Sequence, residues 1–599
     1  MTVAALLLVH ALLLGWSAYR HSPVDNEVAH LASGLSHLQL GRFDLYRVNP
    51  PLVRTVATLP LLLASPRMTW RTYDADPLTR SEVSAGIDFL YCNASRSLWL
   101  VTLARWACIP FSLLGGYVAF LWASRMYGRG AGLLALAMWC LSPYVLGHSS
   151  LITPDAHAAS LGLTSGYCFW RWLKQPGWGR AGLAGLTLGM AESAKFTLLV
   201  LYPVWLSLWV LYRVSEGRSA LWRWARETGM MVLLIATSLS LINVTYGCEG
   251  TFQPLGVFRF QSLLLTGIDT PQRVPDGGSN RFEEGCWGHL PVPVPKNFLQ
   301  GIDAQKSDFD GKKWSYLRGQ WQMGGWWYYY LYALGVKLPL GTWVLFLLAV
   351  ATSIFGTSRF DRCRDEIVLL LPPLAMVALV SSQTGFSVHS RYLLPALPFL
   401  FVWTSKVART LTRHRWITWP VVGGAICWSV VSSLLVYPHS FAYFNELVGG
   451  PSHGHKHLLG SNIAWGQDLL FLESQLSEHP EARPVGIALS TAVDPRLMGI
   501  EFSLPPVGPR SGAASHRVRD TGAGPRPGWY AVDVNHLQET PLSAVDGSGG
   551  WRSVITSTCS YRYFLRFEPV AKAGYSIYIY HISLDEANRV RRELRLPEL

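Results

Sequence analysis

Apolar and polar positions along this chain fall into long blocks. Half of its 599 residues are hydrophobic, and the mean hydropathy is +0.21. A helix needs about 20 apolar residues to cross the hydrocarbon core of a bilayer, and about eleven blocks approach that length. These blocks occupy residues 2–19, 98–122, 131–149, 153–170, 180–194, 196–212, 229–246, 337–355, 366–382, 391–407 and 417–436. The pattern predicts a polytopic α-helical membrane protein.

Basic residues concentrate in every second short connection between the blocks. Examples are Arg125, Arg171, Arg223, Arg364 and Lys406. Because Lys and Arg are retained in the cytoplasm, these connections and the N-terminus are predicted to be cytoplasmic, with the C-terminal region outside. The first block has neither a charged start nor a small-residue cleavage site, so it is predicted to remain as a membrane helix. The net charge of +13 then follows largely from topology and gives no support for a nucleic-acid partner.

Three longer segments are predicted to lie outside the membrane. Residues 20–97 include an apolar stretch, NPPLVRTVATLPLLLAS, that is interrupted by Arg54 and is typical of a helix lying along the interface. Residues 247–336 are rich in Pro, Gly and aromatic residues, and a loop of that length is expected to cover something. Residues 437–599 show one amphipathic helix and several alternating strands. We therefore predict a membrane module, 1–436, and a soluble α/β domain, 437–599.

The stretch SPVDNEVAHL, residues 22–31, places Asp25, Glu27 and His30 just after the first membrane block. A carboxylate that is partly withdrawn from water there has a raised pKa, which suits it to accept a proton near neutral pH. The alternative is that Asp25 caps a helix by satisfying free backbone N–H groups. The pattern alone leaves both interpretations open.

Other external connections bring further ionisable groups to the same side of the membrane. SPYVLGHSSLITPDA is followed by His157 and contains Asp155, and GLTLGMAESAKFT contains Lys195. RYLLPALPFL begins at Arg391, two residues after His389. Lys195 has a plain alternative, because a lysine at a helix end can extend its ammonium to the interface. Acids and bases on one face indicate a site that handles an anionic group beside a proton transfer.

Taken together, the acidic first loop with its His and NPPL, and the three motifs just quoted, resemble the GT-C superfamily of membrane glycosyltransferases. The similarity is to the branch of the protein O-mannosyltransferases and the lipid A aminoarabinose transferases, and it covers residues 1–436. Further stretches, HSFAYFNELVGG and FEPVAKAGYSIYIY, resemble the C-terminal region of a bacterial subgroup. The resemblance implies a GT-C fold, a bacterial inner-membrane location and a sugar donor linked to a polyprenyl phosphate.

The implied reaction is an inverting displacement at the anomeric carbon of the sugar, with transfer to a hydroxyl of a protein, lipid or glycan acceptor. A first-loop carboxylate, Asp25 or Glu27, would take the acceptor proton, and cations would neutralise the departing phosphate. Asp155 would orient the acceptor, hold Lys195 or help to bind a divalent ion. The candidates for the phosphate are Lys195, Arg391 and Arg105, and those for substrate contacts are His30, His157 and His389. The sequence itself identifies no cofactor with certainty, and a divalent metal ion stays an open alternative.

One position departs from the family pattern. The family's first loop usually carries adjacent Asp and Glu with a His three residues later, and counting back from His30 puts Asn26 where that Asp would stand. Either Asp25 or Glu27 then acts as the base, or the chain is an inactive scaffold. A transporter or lipid flippase is the alternative from another class, although its sites tend to lie near the bilayer midplane in repeated halves, which this chain lacks.

Overall fold

The structure is a computed structural model of the whole chain. It describes residues 1–76, 78–216, 221–355, 360–409, 415–510, 523–541, 543–545, 551–553, 555–556 and 558–599, of which the side chains of 360–363, 415–418, 543, 545 and 551–553 are excluded.

Helices dominate the first three quarters of the chain. In chain order they are α1 (Thr2–Arg20), α2 (Asp25–Leu35), α3 (Leu52–Leu63), α4 (Glu82–Asn93), α5 (Ser97–Tyr127), α6 (Arg129–Leu141), α7 (Pro143–Ser149), α8 (Pro154–Lys174), α9 (Trp178–Glu192), α10 (Leu201–Val214), α11 (Leu221–Thr245), α12 (Leu263–Thr266), α13 (Lys296–Asp310), α14 (Tyr329–Lys337), α15 (Leu340–Phe355), α16 (Phe360–Ser382), α17 (Leu397–Thr404), α18 (Arg415–Val436), α19 (Pro451–Gly454), α20 (Leu469–Glu478), α21 (Val534–Leu537) and α22 (Leu584–Glu593).

The chain is a multi-pass membrane protein. By length and apolar composition, six helices within the described ranges could cross a membrane, or up to eight if each of two bent helix pairs forms one span. The predicted count of about eleven is higher because several predicted blocks are not single long helices. Block 131–149 is bent by 56° between α6 and α7, and block 337–355 begins at a bend of 113° between α14 and α15. Block 391–407 consists of the eight-residue α17 between two 3₁₀ segments, Ser390–Ala396 and Ser405–Arg409.

Ion pairs join several of the basic connections at one end of the helical bundle. Lys174 pairs with Asp365 at 3.0 Å, and Lys406 pairs with Glu366 at 3.0 Å. These contacts join the last turn of α8 to the start of α16 and to the segment after α17. Asp155 lies in the first turn of the same α8. At 1.5 Å per residue, the 21 residues of α8 separate this basic end from Asp155 by about 30 Å.

The apolar stretch with the internal arginine forms α3, which has only 12 residues and is too short to span, as the sequence predicts. Arg54 is 1% exposed, and its Nε donates to His37 Nε2 at 3.0 Å while its Nη2 donates to the Asn49 carbonyl at 2.6 Å. The arginine therefore ties α3 to the segment around α2, and the outward Leu59 and Leu63 stay exposed.

The C-terminal region contains the sheet expected from its alternating pattern. Its strands are β3 (Val485–Ala488), β4 (Phe502–Ser503), β5 (Gly508–Pro509), β6 (Gly528–Asp533), β7 (Ser543–Val545), β8 (Trp551–Ser553), β9 (Cys559–Ser560), β10 (Ala571–Ala573) and β11 (Ile577–Ile582), after the hairpin β1 (Trp314–Leu317) and β2 (Gln320–Met323) of the second external segment. Five of them form one sheet in the order β10-β11-β6-β3-β4, antiparallel on one side and parallel on the other. The predicted α/β character is confirmed, and the boundary at 436 stays a prediction.

The sheet and the helical bundle share a continuous apolar core. One cluster of buried residues includes Trp139 of α6, Tyr329 of α14 and Val532 of β6. Because side chains from all three regions pack together, the C-terminal region is held against the membrane helices and can contribute to a site between them.

Candidate active site

A cavity of about 710 Å³ opens where the helix ends opposite the basic connections meet the C-terminal region. Its lining includes residues from the starts of α2 and α8, Lys195 shortly after α9, and the 3₁₀ segment Ser390–Ala396. Residues from the segments 459–465 and 247–336 also line it. Six of the nine predicted functional residues lie in this lining: Asp25, His30, Asp155, Lys195, His389 and Arg391. Positions spread over more than half of the chain are therefore brought to one place.

Asp155 lies between two cations on the cavity wall. Its Oδ1 is in a short contact with Lys195 Nζ, and its Oδ2 is 3.2 Å from Arg391 Nε. All three side chains are at most 7% exposed. Asp155 therefore positions both cations. Lys195 is buried, so the alternative in which its ammonium extends to the membrane interface does not fit.

The Arg391 guanidinium retains a free donor. Its Nη1 is buried and has no hydrogen-bond partner among the described residues. Its carbon lies 4.1 Å from the ring centre of Trp465, close enough for a cation–π contact. Lys195 Nζ is likewise 4.8 Å from the ring centre of Tyr392. A buried arginine nitrogen without an acceptor is costly, and an anionic group in the cavity would satisfy it.

Asp25 is the first residue of α2, and the helix cap is Val24. The capping interpretation of Asp25 is therefore wrong. Its Oδ1 instead accepts a hydrogen bond of 2.8 Å from the backbone N–H of Ala492, in the C-terminal region. Burial raises the pKa of Asp25 to about 7 against the opposing effect of the Ala492 bond, and the Asp533 carboxylate raises it further. A carboxylate with this pKa can accept a proton near neutral pH.

Glu27, two residues later, points away from the cavity into a buried ion pair. Its carboxylate accepts hydrogen bonds from Arg105 Nε at 2.9 Å and Arg105 Nη2 at 2.5 Å, and from the backbone N–H groups of Val24 and Ile152, both at 2.9 Å. Arg105 also donates to the carbonyls of residues 18, 21 and 22. Neither side chain lines the cavity. This geometry does not fit the expected roles of Glu27 as base and Arg105 as phosphate ligand, because both are fully engaged in joining α1, α2, α5 and the start of α8.

Two of the three predicted histidines line the cavity, and one does not. His30 and His389 line the cavity. His30 packs against Tyr46 with ring centres 4.9 Å apart, and His389 Nδ1 is hydrogen-bonded to Ser461 Oγ at 2.7 Å. His157 is fully buried outside the lining, where its Nε2 donates to the Leu151 carbonyl at 2.8 Å. Its packing position does not fit the expected substrate contact.

Residues from the segment 247–336 form one side of the cavity. Asp308 accepts from Lys313 at 2.9 Å and from Arg80 at 3.4 Å, and Trp314 and Trp321 of the hairpin complete this wall. These residues were not singled out from the sequence, nor was Tyr392. Aromatic residues are so frequent throughout this chain that composition could not have marked these ones.

A divalent ion at Asp155 is not supported by its surroundings. Within the described part of the chain, the one group of three or more His, Cys, Asp or Glu side chains with metal-ligand spacing is His21, His439 and Asp468. None of the three lines the cavity. The Asp155 carboxylate has cations, and not further ligands, on both of its oxygens.

Comparison with known proteins gives few matches. No family model matches the chain, and no curated protein matches it. Among solved structures, it is similar to ArnT from Cupriavidus metallidurans bound to undecaprenyl phosphate, with a TM-score of 0.45 and 12% identity over 96% of this chain and 97% of that chain. ArnT in the apo state gives a TM-score of 0.44 and 13% identity over the same shares. Similarity at this level assigns no activity, so function has to be argued from the site.

Proposed function

We propose that the chain is an inverting glycosyltransferase that moves a sugar from a polyprenyl phosphate to an acceptor hydroxyl on the extracytoplasmic face of the membrane. The observation that carries the proposal is one cavity that combines two features. One is the Asp25 carboxylate, with a pKa of about 7, and the other is the buried pair Lys195 and Arg391, whose guanidinium Nη1 has no partner among the described residues. The first group suits proton removal from a hydroxyl, and the second suits a departing phosphate.

The roles follow from the charges that develop in the reaction. As the acceptor oxygen bonds to the anomeric carbon, its proton passes to Asp25, and the bond between that carbon and the phosphate oxygen breaks. The electron pair of that bond stays on the lipid phosphate, which gains one negative charge beside Lys195 and Arg391. Both cations are already held by Asp155, so little reorganisation is needed when the charge appears.

A direct assay tests the proposal. The purified protein in lipid nanodiscs would be given polyprenyl phosphates carrying different sugars, together with hydroxyl acceptors of protein, lipid and glycan type. We expect one donor to release its free lipid phosphate with inversion at the transferred sugar. Movement of a solute or of intact glycolipid across reconstituted vesicles without any transfer would contradict the proposal and favour the transporter class.

Replacing Arg391 by Gln tests the phosphate site. Loss of one preorganised charged donor is expected to lower the rate of transfer by about 10²-fold. Lys195 would still hold Asp155, so the wall should persist. The measurement is initial rate against donor concentration. Arg592→Gln, which removes an exposed arginine paired with Glu598, is the matched control and should leave the rate unchanged. Equal rates for both variants would remove Arg391 from the phosphate site.

The pH dependence of transfer tests Asp25 as the base. Because burial raises the pKa of this carboxyl to about 7, it is protonated at lower pH and cannot accept the hydroxyl proton. We expect kcat/KM to rise about tenfold per pH unit below pH 7 and to level off above it. The check is a kcat/KM profile from pH 5 to 9 at constant ionic strength. A profile that stays flat down to pH 5 would contradict this assignment.

A further inference from the structure

Two histidines and an aspartate meet at the junction of the first helix and the C-terminal region. His21 directly follows α1, His439 comes shortly after α18, and Asp468 immediately precedes α20. One ligating atom of each side chain lies within 4.8 Å of those of the other two. His21 and Asp468 are buried, and His439 keeps 17% of its side chain exposed. The cluster lies outside the proposed catalytic cavity.

His21 carries the observation that packing does not explain. Its Nδ1 is 2.9 Å from the Ser17 carbonyl, and because a carbonyl oxygen only accepts, Nδ1 carries the proton. Nε2 is therefore the nitrogen with a lone pair. This atom is buried, and it has no hydrogen-bond partner in the part of the chain that the structure describes. A buried imidazole lone pair without a donor requires an explanation, and a bound cation supplies one.

The other two ligands are already at metal-ligand spacing. His439 Nδ1 lies 3.2 Å from Asp468 Oδ1. Two ligands about 2.0–2.2 Å from a tetrahedral Zn²⁺ lie about 3.3 Å from each other. An ion pair between His439 and Asp468 would account for this distance alone, but it leaves Nε2 of His21 unexplained.

Outer contacts hold the ligands in orientation, as in established metal sites. The Ser17 carbonyl fixes the tautomer of His21. The second oxygen of Asp468 accepts from Ser576 Oγ at 2.7 Å and from Gln467 Nε2 at 3.0 Å, which leaves Oδ1 for the cluster. The partial exposure of His439 provides a path for an ion to enter.

We propose that His21, His439 and Asp468 bind one divalent transition-metal ion, with Zn²⁺ as the best fit to two imidazoles and a carboxylate. Water would complete the coordination. The ion would fasten the end of α1 to the segment between α18 and α20. The backbone in this junction is already joined, since Ser22 N–H donates to the Gln467 carbonyl at 3.1 Å and Ser22 Oγ to the Gly466 carbonyl at 2.7 Å.

Metal analysis of the purified full-length protein tests the site. After removal of any affinity tag, the protein would be equilibrated with Zn²⁺, freed of excess metal on a desalting column and measured by plasma mass spectrometry. We expect about one Zn²⁺ per chain in the unaltered protein. Loading with Co²⁺ should give the visible absorption bands of a site with nitrogen and oxygen ligands, and a chelator should lower the Tm by several degrees.

Variants locate the ion. His21→Ala and Asp468→Asn should each lower the bound Zn²⁺ at least tenfold, whereas His479→Ala, at an exposed histidine paired with Glu481, should retain it. Asp468→Asn keeps an acceptor for Ser576, so loss of metal in a variant that elutes as folded protein reports on ligation. Less than about a tenth of an equivalent in the unaltered protein, or full metal content in His21→Ala, would overturn the proposal.

Discussion

Replacing Asp25 by Asn is expected to lower the rate of sugar transfer by about 10²- to 10⁴-fold, the usual contribution of a general base. The amide is nearly the same size, and its oxygen can still accept from the Ala492 N–H, but it cannot take the acceptor proton. Burial raises the pKa of the Asp25 carboxyl to about 7 from an unfolded value near 3.8. Its ionisation therefore weakens the fold as the pH rises through this range, and Asp25→Asn should be at least as stable as the parent at pH 8. Initial rates and Tm at pH 8 provide the measurement.

Asp585→Asn, at an exposed carboxylate in the first turn of α22, is the matched control and should keep the full rate. Transfer by Asp25→Asn within a factor of about three of the parent would be far too fast for loss of a general base. In that case Asp25 is not the base, although the glycosyltransferase activity itself would still be established by the donor assay.

Replacing Glu27 by Ala should instead destabilise the fold, by about 3–5 kcal/mol. The substitution leaves the buried Arg105 guanidinium without its carboxylate and leaves the N–H groups of Val24 and Ile152 without their acceptor. Arg105 is 1% exposed, so water cannot replace these contacts. The measurement is thermal unfolding in one detergent, together with the rate per folded molecule, which should change little.

Two further variants make the Glu27 result specific. Glu593→Ala removes a carboxylate from an exposed pair of arginines and should leave the Tm unchanged. Combining Glu27→Leu with Arg105→Met removes both charges and should recover part of the lost stability. If Glu27→Ala kept its Tm but lost transfer per folded molecule, the result would support a catalytic role for Glu27.

The sequence predicted the main wall of the site because topology alone groups residues by side. Asp155, Lys195 and Arg391 fall in connections that the charge pattern predicts on one side of the membrane, and all three line one cavity. The same reasoning could not decide whether Asp25 or Glu27 faces the cavity. Neighbouring residues in a first helical turn point in different directions, and which one faces the cavity depends on Arg105, 78 positions away from Glu27.

Contacts with the C-terminal region could not be predicted either, because they also join residues far apart in the chain. Trp465 lies against Arg391 through folding of a segment that carries no charge pattern of its own. The three residues of the proposed metal site are spread over 447 positions, from His21 to Asp468, so no spacing rule could connect them. The alternate His453, His455 and His457, which a motif search would favour, are not part of it.

The last contacts of the cavity come from late in the chain. A polypeptide emerging from the ribosome would contain Asp155, Lys195 and Arg391 well before Trp465 and Ala492 exist, so Arg391 would lack its aromatic partner and Asp25 its backbone donor. A nascent or prematurely terminated product would thus sit in the bilayer with an incomplete reaction centre. The proposed site is therefore complete only after the chain has been synthesised and folded as far as Ala492.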